Sequence, residues 1–279
     1  MKTAVIIGLG LIGGSLGLEL KKRLNYKILG IDNNAAHLQK AIELGIIDDE
    51  ATYEAIATAE LVIVAVPVNH IAAVVCKALD YVGENTLVMD VGSVKNSICK
   101  AVAAHPHRKH FVAAHPMAGT EHSGPEAAIY DLFDGKVMAL CEIDDSGWQF
   151  YDRAIDIAKT LNMRVKIMHA ENHDLHTAYV SHLSHVSSFM LGKTVLEIEK
   201  DESQIFDLAS TGFASTVRLA KSDAQMWCPI FLENKTNVLK ALDEYIKNLQ
   251  EFRTMITEEQ AEAIYKTIHD INYIRKILK

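Results

Sequence analysis

The sequence predicts an α/β fold with a mainly parallel sheet, followed by an all-helical part, on three observations. Short β-rich runs alternate with helical patterns up to about residue 168. One of those runs, Leu61-Val62-Ile63-Val64-Ala65-Val66, is apolar throughout, as a strand covered on both faces must be. After Met168 the composition shifts to Glu, Lys, Leu and Ala and proline nearly vanishes. Alternating strands and helices build a sheet with helices on both faces, because each crossover has to return to the same edge.

The first element is a strand at residues 3–7. It runs into Gly8-Leu9-Gly10-Leu11-Ile12-Gly13-Gly14-Ser15, a glycine turn that opens a helix. Glycines at this spacing permit a tight turn, a close backbone approach to a pyrophosphate and close helix–strand packing, while the helix amides face the phosphates. The second strand, 27–32, ends at Asp32, about the 20 residues downstream at which a carboxylate accepts ribose hydroxyls. A carboxylate there repels a 2′-phosphate, so NAD is expected rather than NADP. Gly8, Gly10, Leu11, Ile12, Gly13 and Asp32 are the expected cofactor contacts. The third strand, 61–66, is ended by Pro67 at the carboxyl edge of the sheet, and Val66 and Pro67 join that set. Further strands are expected at 86–90, 110–113, 136–141 and 163–168.

Residues 1–168 therefore read as a Rossmann-type dinucleotide-binding domain, and 169–279 as an all-α domain for substrate binding and dimerisation. In the second part Thr257-Glu258-Glu259-Gln260 resembles a capping box, with Ile264, Ile268, Ile271, Ile274 and Ile277 as an apolar stripe behind it. The run from about Ala224 to Met255 is also long and periodic. A pair of long helices in a small domain needs its apolar side covered, and a homodimer is expected.

Composition excludes several classes. Forty-nine per cent hydrophobic and 23% charged residues suit a globular chain rather than a disordered one. No apolar run is long enough to span a bilayer, and the charges at Glu19, Lys21, Lys22 and Arg23 argue against a secretory signal. A net charge of −8 argues against general nucleic-acid affinity. Cys76, Cys99, Cys141 and Cys228 lie far apart, as reduced cytoplasmic thiols would.

Three polar clusters compete for the chemistry: Asp90 to Lys95, Ala114 to Glu121, and His173 to His185 with Arg218 and Trp227 beyond. His115 follows an apolar run and precedes a proline, which extends the backbone and lets the ring point from a strand end into a cleft. An imidazole suits the removal of a hydroxyl proton as hydride leaves the same carbon. The plain alternative is a ring that ties the loop to a carbonyl. His182 and His185 share a helical face and suggest a metal, but no matching cysteine or carboxylate set accompanies them, so none is expected. Arg218, flanked by apolar residues, reads as an anchor for a substrate carboxylate or as a surface ion pair.

Gly8-x-Gly10-x-x-Gly13-Gly14-Ser15, Gly92-Ser93-Val94-Lys95, His115-Pro116-Met117-Ala118-Gly119-Thr120-Glu121, His173-Asp174 with Ser181-His182-Leu183-Ser184-His185, and Arg218 with Ser222-Asp223 and Met226-Trp227 together resemble the prephenate dehydrogenase family. The resemblance spans nearly the whole chain. It implies NAD-dependent oxidative decarboxylation of prephenate to 4-hydroxyphenylpyruvate and CO2 in tyrosine biosynthesis. It further implies that His115 accepts the hydroxyl proton, that Ser93 holds the hydroxyl and His115, and that Arg218 binds a substrate carboxylate. Glu121 would pair with Arg218 and gate the pocket, Thr120, Ser181 and His185 would line it, and Trp227 would reach in from a partner subunit. Where this family commonly carries a polar pair after glycine-phenylalanine, Gly212-Phe213 is followed here by Ala214-Ser215-Thr216, which bears on substrate preference. Arogenate, with an amino-acid side chain in place of the pyruvyl group, is the nearest rival substrate. A β-hydroxyacid dehydrogenase would need a lysine in the helical part that has no evident counterpart. An NAD sensor would need neither His115 nor Arg218.

Overall fold

The computed structural model describes residues 2–200 and 204–277. Its N-terminal alternation runs β1 (Thr3–Ile7), α1 (Leu11–Leu24), β2 (Lys27–Ile31), α2 (Ala35–Glu43), β3 (Asp49–Glu50), β4 (Leu61–Val64), α3 (Val68–Leu79), β5 (Leu87–Asp90), α4 (Asn96–Val102), β6 (Phe111–Pro116), β7 (Val137–Cys141), α5 (Trp148–Thr160) and β8 (Arg164–Met168). The strands form one sheet in the order β3-β2-β1-β4-β5-β6-β7-β8. Every neighbouring pair is parallel except β6 and β7.

Side chains alternate across the strands and build two cores. Ile6, Ile63, Met89 and Val112 face one layer with Leu16 and Leu20 of α1 and Phe150 and Ala154 of α5. Val5, Val62, Val88 and Phe111 face the other, with Ile71 and Val75 of α3 and Ile98 and Val102 of α4. All four residues of β4 are buried, as its unbroken apolar run predicts. The register puts Ile7, Val64, Asp90 and Ala113 in one row, so Gly8, the loop after Asp90, and His115 all emerge at the same carboxyl edge.

Some boundaries differ from the expectation. β4 ends at Val64, which leaves Val66 and Pro67 in the following loop, with Pro67 as the N-cap of α3. β6 runs on to Pro116 because β7 pairs with it antiparallel, His115 opposite Ala139 and Pro116 opposite Met138. His115 is therefore fixed in the sheet itself. The two-residue β3 had no signal in the sequence.

After Met168 the described residues form no strand. The chain continues as α6 (Ala170–Thr177), a π-helical turn (Ala178–His182), α7 (Leu183–Glu199), α8 (Thr211–Thr216) and α9 (Ala224–Glu233). α6 packs on α4 and α9 on α3, so these helices belong to the same compact unit as the sheet, Met1–Asn234. The second compact unit, Lys235–Lys279, holds α10 (Lys235–Thr257) and α11 (Ala261–Ile271). By contacts, then, the two compact units meet at 234/235, and the change of composition at 168/169 falls within the first of them. The capping-box expectation does not hold. Thr257 is the last residue of α10 and its hydroxyl donates to the Arg253 carbonyl. Glu259, at φ +53°, ends that helix, and α11 starts after Gln260 without a side-chain cap.

Candidate active site

The glycine turn is built by backbone shape. Gly8 lies at φ +95°, and a Cβ there would crowd the Ala65 carbonyl; a Cβ at Gly13 would collide with the Gly8 carbonyl oxygen. Around Gly10 a Cβ would meet nothing within 4 Å, and Gly10 caps α1 with no side-chain bond to the first-turn amides. Leu11 and Ile12 are half-buried there. Asp32 stands beside this opening. Its Oδ2 accepts the Leu9 amide at 2.8 Å and its Oδ1 the Asn34 amide at 2.9 Å, which leaves lone pairs for ribose hydroxyls. Uncapped amides, open space and a fixed carboxylate fit the pyrophosphate and ribose of a dinucleotide. Ser15, in contrast, turns inward: its Oγ accepts the Ile129 amide at 3.0 Å and helps to hold the β6–β7 connection to α1.

At the same edge, Asp90 and Lys95 form a fully buried ion pair. Lys95 Nζ also donates to the Ala114 carbonyl at 2.6 Å, and Asp90 accepts the Gly92 amide at 2.9 Å. This pair fixes the loop that carries Ser93 against the strand that carries His115. His115 is half-buried, and its Nδ1 lies 2.9 Å from His173 Nε2. His173 Nδ1 lies 2.8 Å from Asp174 Oδ1. Burial holds the His115 pKa well below the usual 6.5, and the neighbouring His173, Lys95 and His182, each able to carry positive charge, oppose its protonation further. The ring is thus neutral and basic at neutral pH. Its hydrogen-bond partner among the described residues is another ring and not a loop carbonyl.

The outer part of the site is assembled from the helices. His182, in the π-helical turn, is buried, with its Nδ1 3.2 Å from Asn234 Nδ2 and its ring edge-on to Trp227. Burial lowers its pKa to about 4. His185 is less buried and stacks on Trp227 at 3.4 Å, with its Nδ1 3.0 Å from the Ser181 carbonyl. Burial lowers the His185 pKa, and nearby Arg218 adds to the effect. Arg218 is 55% exposed and lies 3.6 Å from Glu121 Oε2. His182 and His185 thus pack on Trp227, Arg218 pairs with Glu121, and His182 and Arg218 act electrostatically on His115 and His185 respectively; of the two histidines His185 is the more accessible.

Several placements correct the expectation. Arg218 opens a 3-10 turn, Arg218–Lys221. Trp227 is buried in its own chain with Ile230 and the face of the sheet that packs on α3. His115 bonds to His173, and among the described residues the Ser93 hydroxyl makes no hydrogen bond. Thr120 Oγ1 accepts the His122 amide at 3.2 Å. Ser181 sits in the π-helical turn, which contributes its carbonyl to His185. Three supporting groups were not among the expected site residues. Lys95 and His173-Asp174 stood within the quoted motifs, whereas Asn234, a helix-breaking asparagine, gave no signal. Among the described residues no group of three or more His, Cys, Asp or Glu side chains is arranged to hold a metal.

Two family profiles match the chain: "Prephenate dehydrogenase, nucleotide-binding domain" over residues 16–167 and "Prephenate dehydrogenase, dimerization domain" over residues 169–270. The prephenate dehydrogenase of Bacillus subtilis is 33% identical over 270 residues, covering 95% of this chain and 72% of that protein. The cyclohexadienyl dehydrogenase of Zymomonas mobilis is 29% identical, covering 100% of this chain and 96% of that protein. Among solved structures, the A. aeolicus prephenate dehydrogenase in complex with hydroxyphenyl propionate and NAD+ superposes with a TM-score of 0.91 at 31% identity, covering 100% of this chain and 99% of that one.

Proposed function

The chain belongs to the prephenate dehydrogenase family, and from that premise we propose how its residues divide the reaction. The protein is an NAD-dependent oxidoreductase that converts prephenate to 4-hydroxyphenylpyruvate and CO2. NAD, when bound, supplies the hydride acceptor. The glycine turn from Gly8 to Gly13, with the Leu11 and Ile12 amides, holds its pyrophosphate, Asp32 its ribose, and Val66 and Pro67 border it. His115 takes the proton of the ring hydroxyl as the carbon–oxygen bond becomes a carbonyl. Loss of the ring carboxylate then leaves its electron pair in the ring and makes it aromatic, and His115 returns the same proton to the resulting phenolate oxygen. The substrate carries two carboxylates and the product one, so charge balances with no net proton released.

The observation that carries this reading is the position of His115. It is a half-buried base with a lowered pKa, on the sheet edge that bears the glycine turn, and bonded to His173. Arg218 anchors a substrate carboxylate, and Glu121 pairs with it at the mouth. Ser93 orients the hydroxyl, and Thr120, Ser181, His185 and Trp227 form the remaining wall. Residues 1–168 bind NAD and residues 169–279 supply the substrate side and a homodimer contact. Exposed Leu249, Ile256, Ile268 and Ile271 on α10 and α11 support that contact, which light scattering on the purified protein tests. No helix among the described residues is long and apolar enough to cross a membrane, and all four cysteines are unpaired, which favours the cytoplasm.

Purified protein with NAD and prephenate should form NADH and 4-hydroxyphenylpyruvate in equal amounts. No turnover by protein that binds NAD would overturn the reading. Arogenate is the second substrate to test, because an enzyme named for the cyclohexadienyl ring aligns with the whole chain.

A further inference from the structure

We propose that His173 and Asp174 act as positioning residues that lock His115 in the Nδ1-protonated tautomer, so that its Nε2 is the bare nitrogen presented to the substrate hydroxyl. The proposal rests on the reading of His115 as proton acceptor and names what makes it one.

The direction of each hydrogen bond follows from its neighbour. Asp174 is buried, and its carboxylate accepts two backbone amides, Lys95 N on Oδ1 at 2.8 Å and Asn96 N on Oδ2 at 2.9 Å. Backbone amides only donate, so the carboxylate is fixed as an acceptor in the plane they define. Its third partner, His173 Nδ1 at 2.8 Å, must therefore carry a proton. A neutral His173 then has its lone pair on Nε2, and the hydrogen-bond partner it meets there among the described residues is His115 Nδ1 at 2.9 Å. Two lone pairs cannot face each other at that distance, so His115 Nδ1 donates and its Nε2 is left to accept. A doubly protonated His173 would reverse the order, but it would add a second cation to a pocket that already holds the buried Lys95 ammonium.

The arrangement is rigid. His173 is 1% exposed, so water cannot take over either of its bonds. Thr177 Oγ1 donates to the His173 carbonyl at 3.0 Å, and Asn234 Nδ2 to the Asp174 carbonyl at 2.7 Å. One carboxylate thus holds the loop that carries Ser93, through the Lys95 and Asn96 amides, and the base, through His173. When His115 takes up the substrate proton, the positive charge forms in contact with His173 and, one ring further, Asp174. That lowers the cost of an imidazolium in a buried site without a permanent charge on His115 beforehand.

The test is nitrogen NMR of the NAD-bound enzyme labelled with 15N-histidine, with the His115 signals assigned by their loss in His115→Asn. The expected result is a protonated Nδ1 and a bare Nε2 on His115. A protonated His115 Nε2 in the wild-type enzyme would overturn the proposal, whether or not His173→Phe folds. In parallel, His173→Phe should lower kcat by about 10²-fold, the lower end of what loss of a general base costs, with KM for prephenate and NAD affinity unchanged. A proportional change in KM and NAD affinity, or an unchanged kcat, would mean that His173 only packs. The NMR result does not need turnover. Wild-type enzyme inactive on prephenate would therefore refute the function, whereas active enzyme with the opposite tautomer would refute only this inference.

Discussion

The nucleotide turn and the histidine–arginine series lie at the same sheet edge but are made in different ways. The turn is continuous in sequence and made of backbone: Gly8, Gly10 and Gly13 contribute shape, and the uncapped amides at the start of α1 contribute charge. The series is discontinuous and made of side chains. His115 meets a partner 58 residues away, and Asp174 meets amides 79 and 78 residues away. Backbone sites break when an atom is added, and side-chain sites break when one is removed. Their tolerance to substitution should therefore be opposite in kind.

The largest effect should come from the backbone half. Gly13→Ala places a Cβ against the Gly8 carbonyl, a contact no rotamer relieves, and titration should find NAD binding lost. Retained affinity would show that the turn has slack. Next is the buried pair between the halves. Lys95→Met strands Asp90 without its cation and should cost about 3–5 kcal/mol by chemical denaturation. Arg218→Gln should leave stability and NAD affinity alone, because an exposed pair with Glu121 contributes only about 0–1 kcal/mol. It should raise KM for prephenate about 10–10²-fold, the equivalent of one charge-assisted hydrogen bond of about 1.5–3 kcal/mol. An unchanged KM would return Arg218 to the role of a surface ion pair.

The same division explains what was legible in the sequence. β1, β2 and β4, the glycine turn and Asp32 could be read because each depends on neighbours within a few residues. His115 and Arg218 stood out as polar residues in apolar surroundings. What could not be read depends on distant partners. β6 lengthens to Pro116 only because β7 pairs antiparallel, and that pairing fixes His115 in the sheet. The sequence spacing of His173-Asp174 does not reveal that it faces His115 rather than His182 or His185. Nothing near Trp227 in the sequence reveals that packing of α9 on α3 buries it. Thr257 to Gln260 had the letters of a capping box, yet the left-handed Glu259 assigns Thr257 to the preceding helix.

Acid should separate the two halves by the smallest margin. The folded-state pKa of His115 is depressed, so the base stays competent as pH drops below 6.5 and activity is lost only as pH falls through that lower value. The acid limb of kcat/KM should therefore lie below 6.5, and a limb at or above it would contradict the burial argument. His182 adds a stability term of the same sign. The unfolded chain protonates near 6.5 while the folded ring waits until about 4. Stability from this group is complete above pH 6.5 and declines as pH falls to about 4. Thermal melts of His182→Asn should show a flatter slope across that window.

The most direct measurement compares His115→Asn with the wild-type enzyme in two titrations, NAD affinity by calorimetry and turnover of prephenate by NADH formation. Side-chain chemistry standing apart from a backbone-built cofactor site predicts unchanged NAD affinity and turnover lower by about 10²–10⁴-fold. Turnover that survives the substitution, or NAD affinity that falls in step with it, would contradict the assignment of His115 as the proton acceptor.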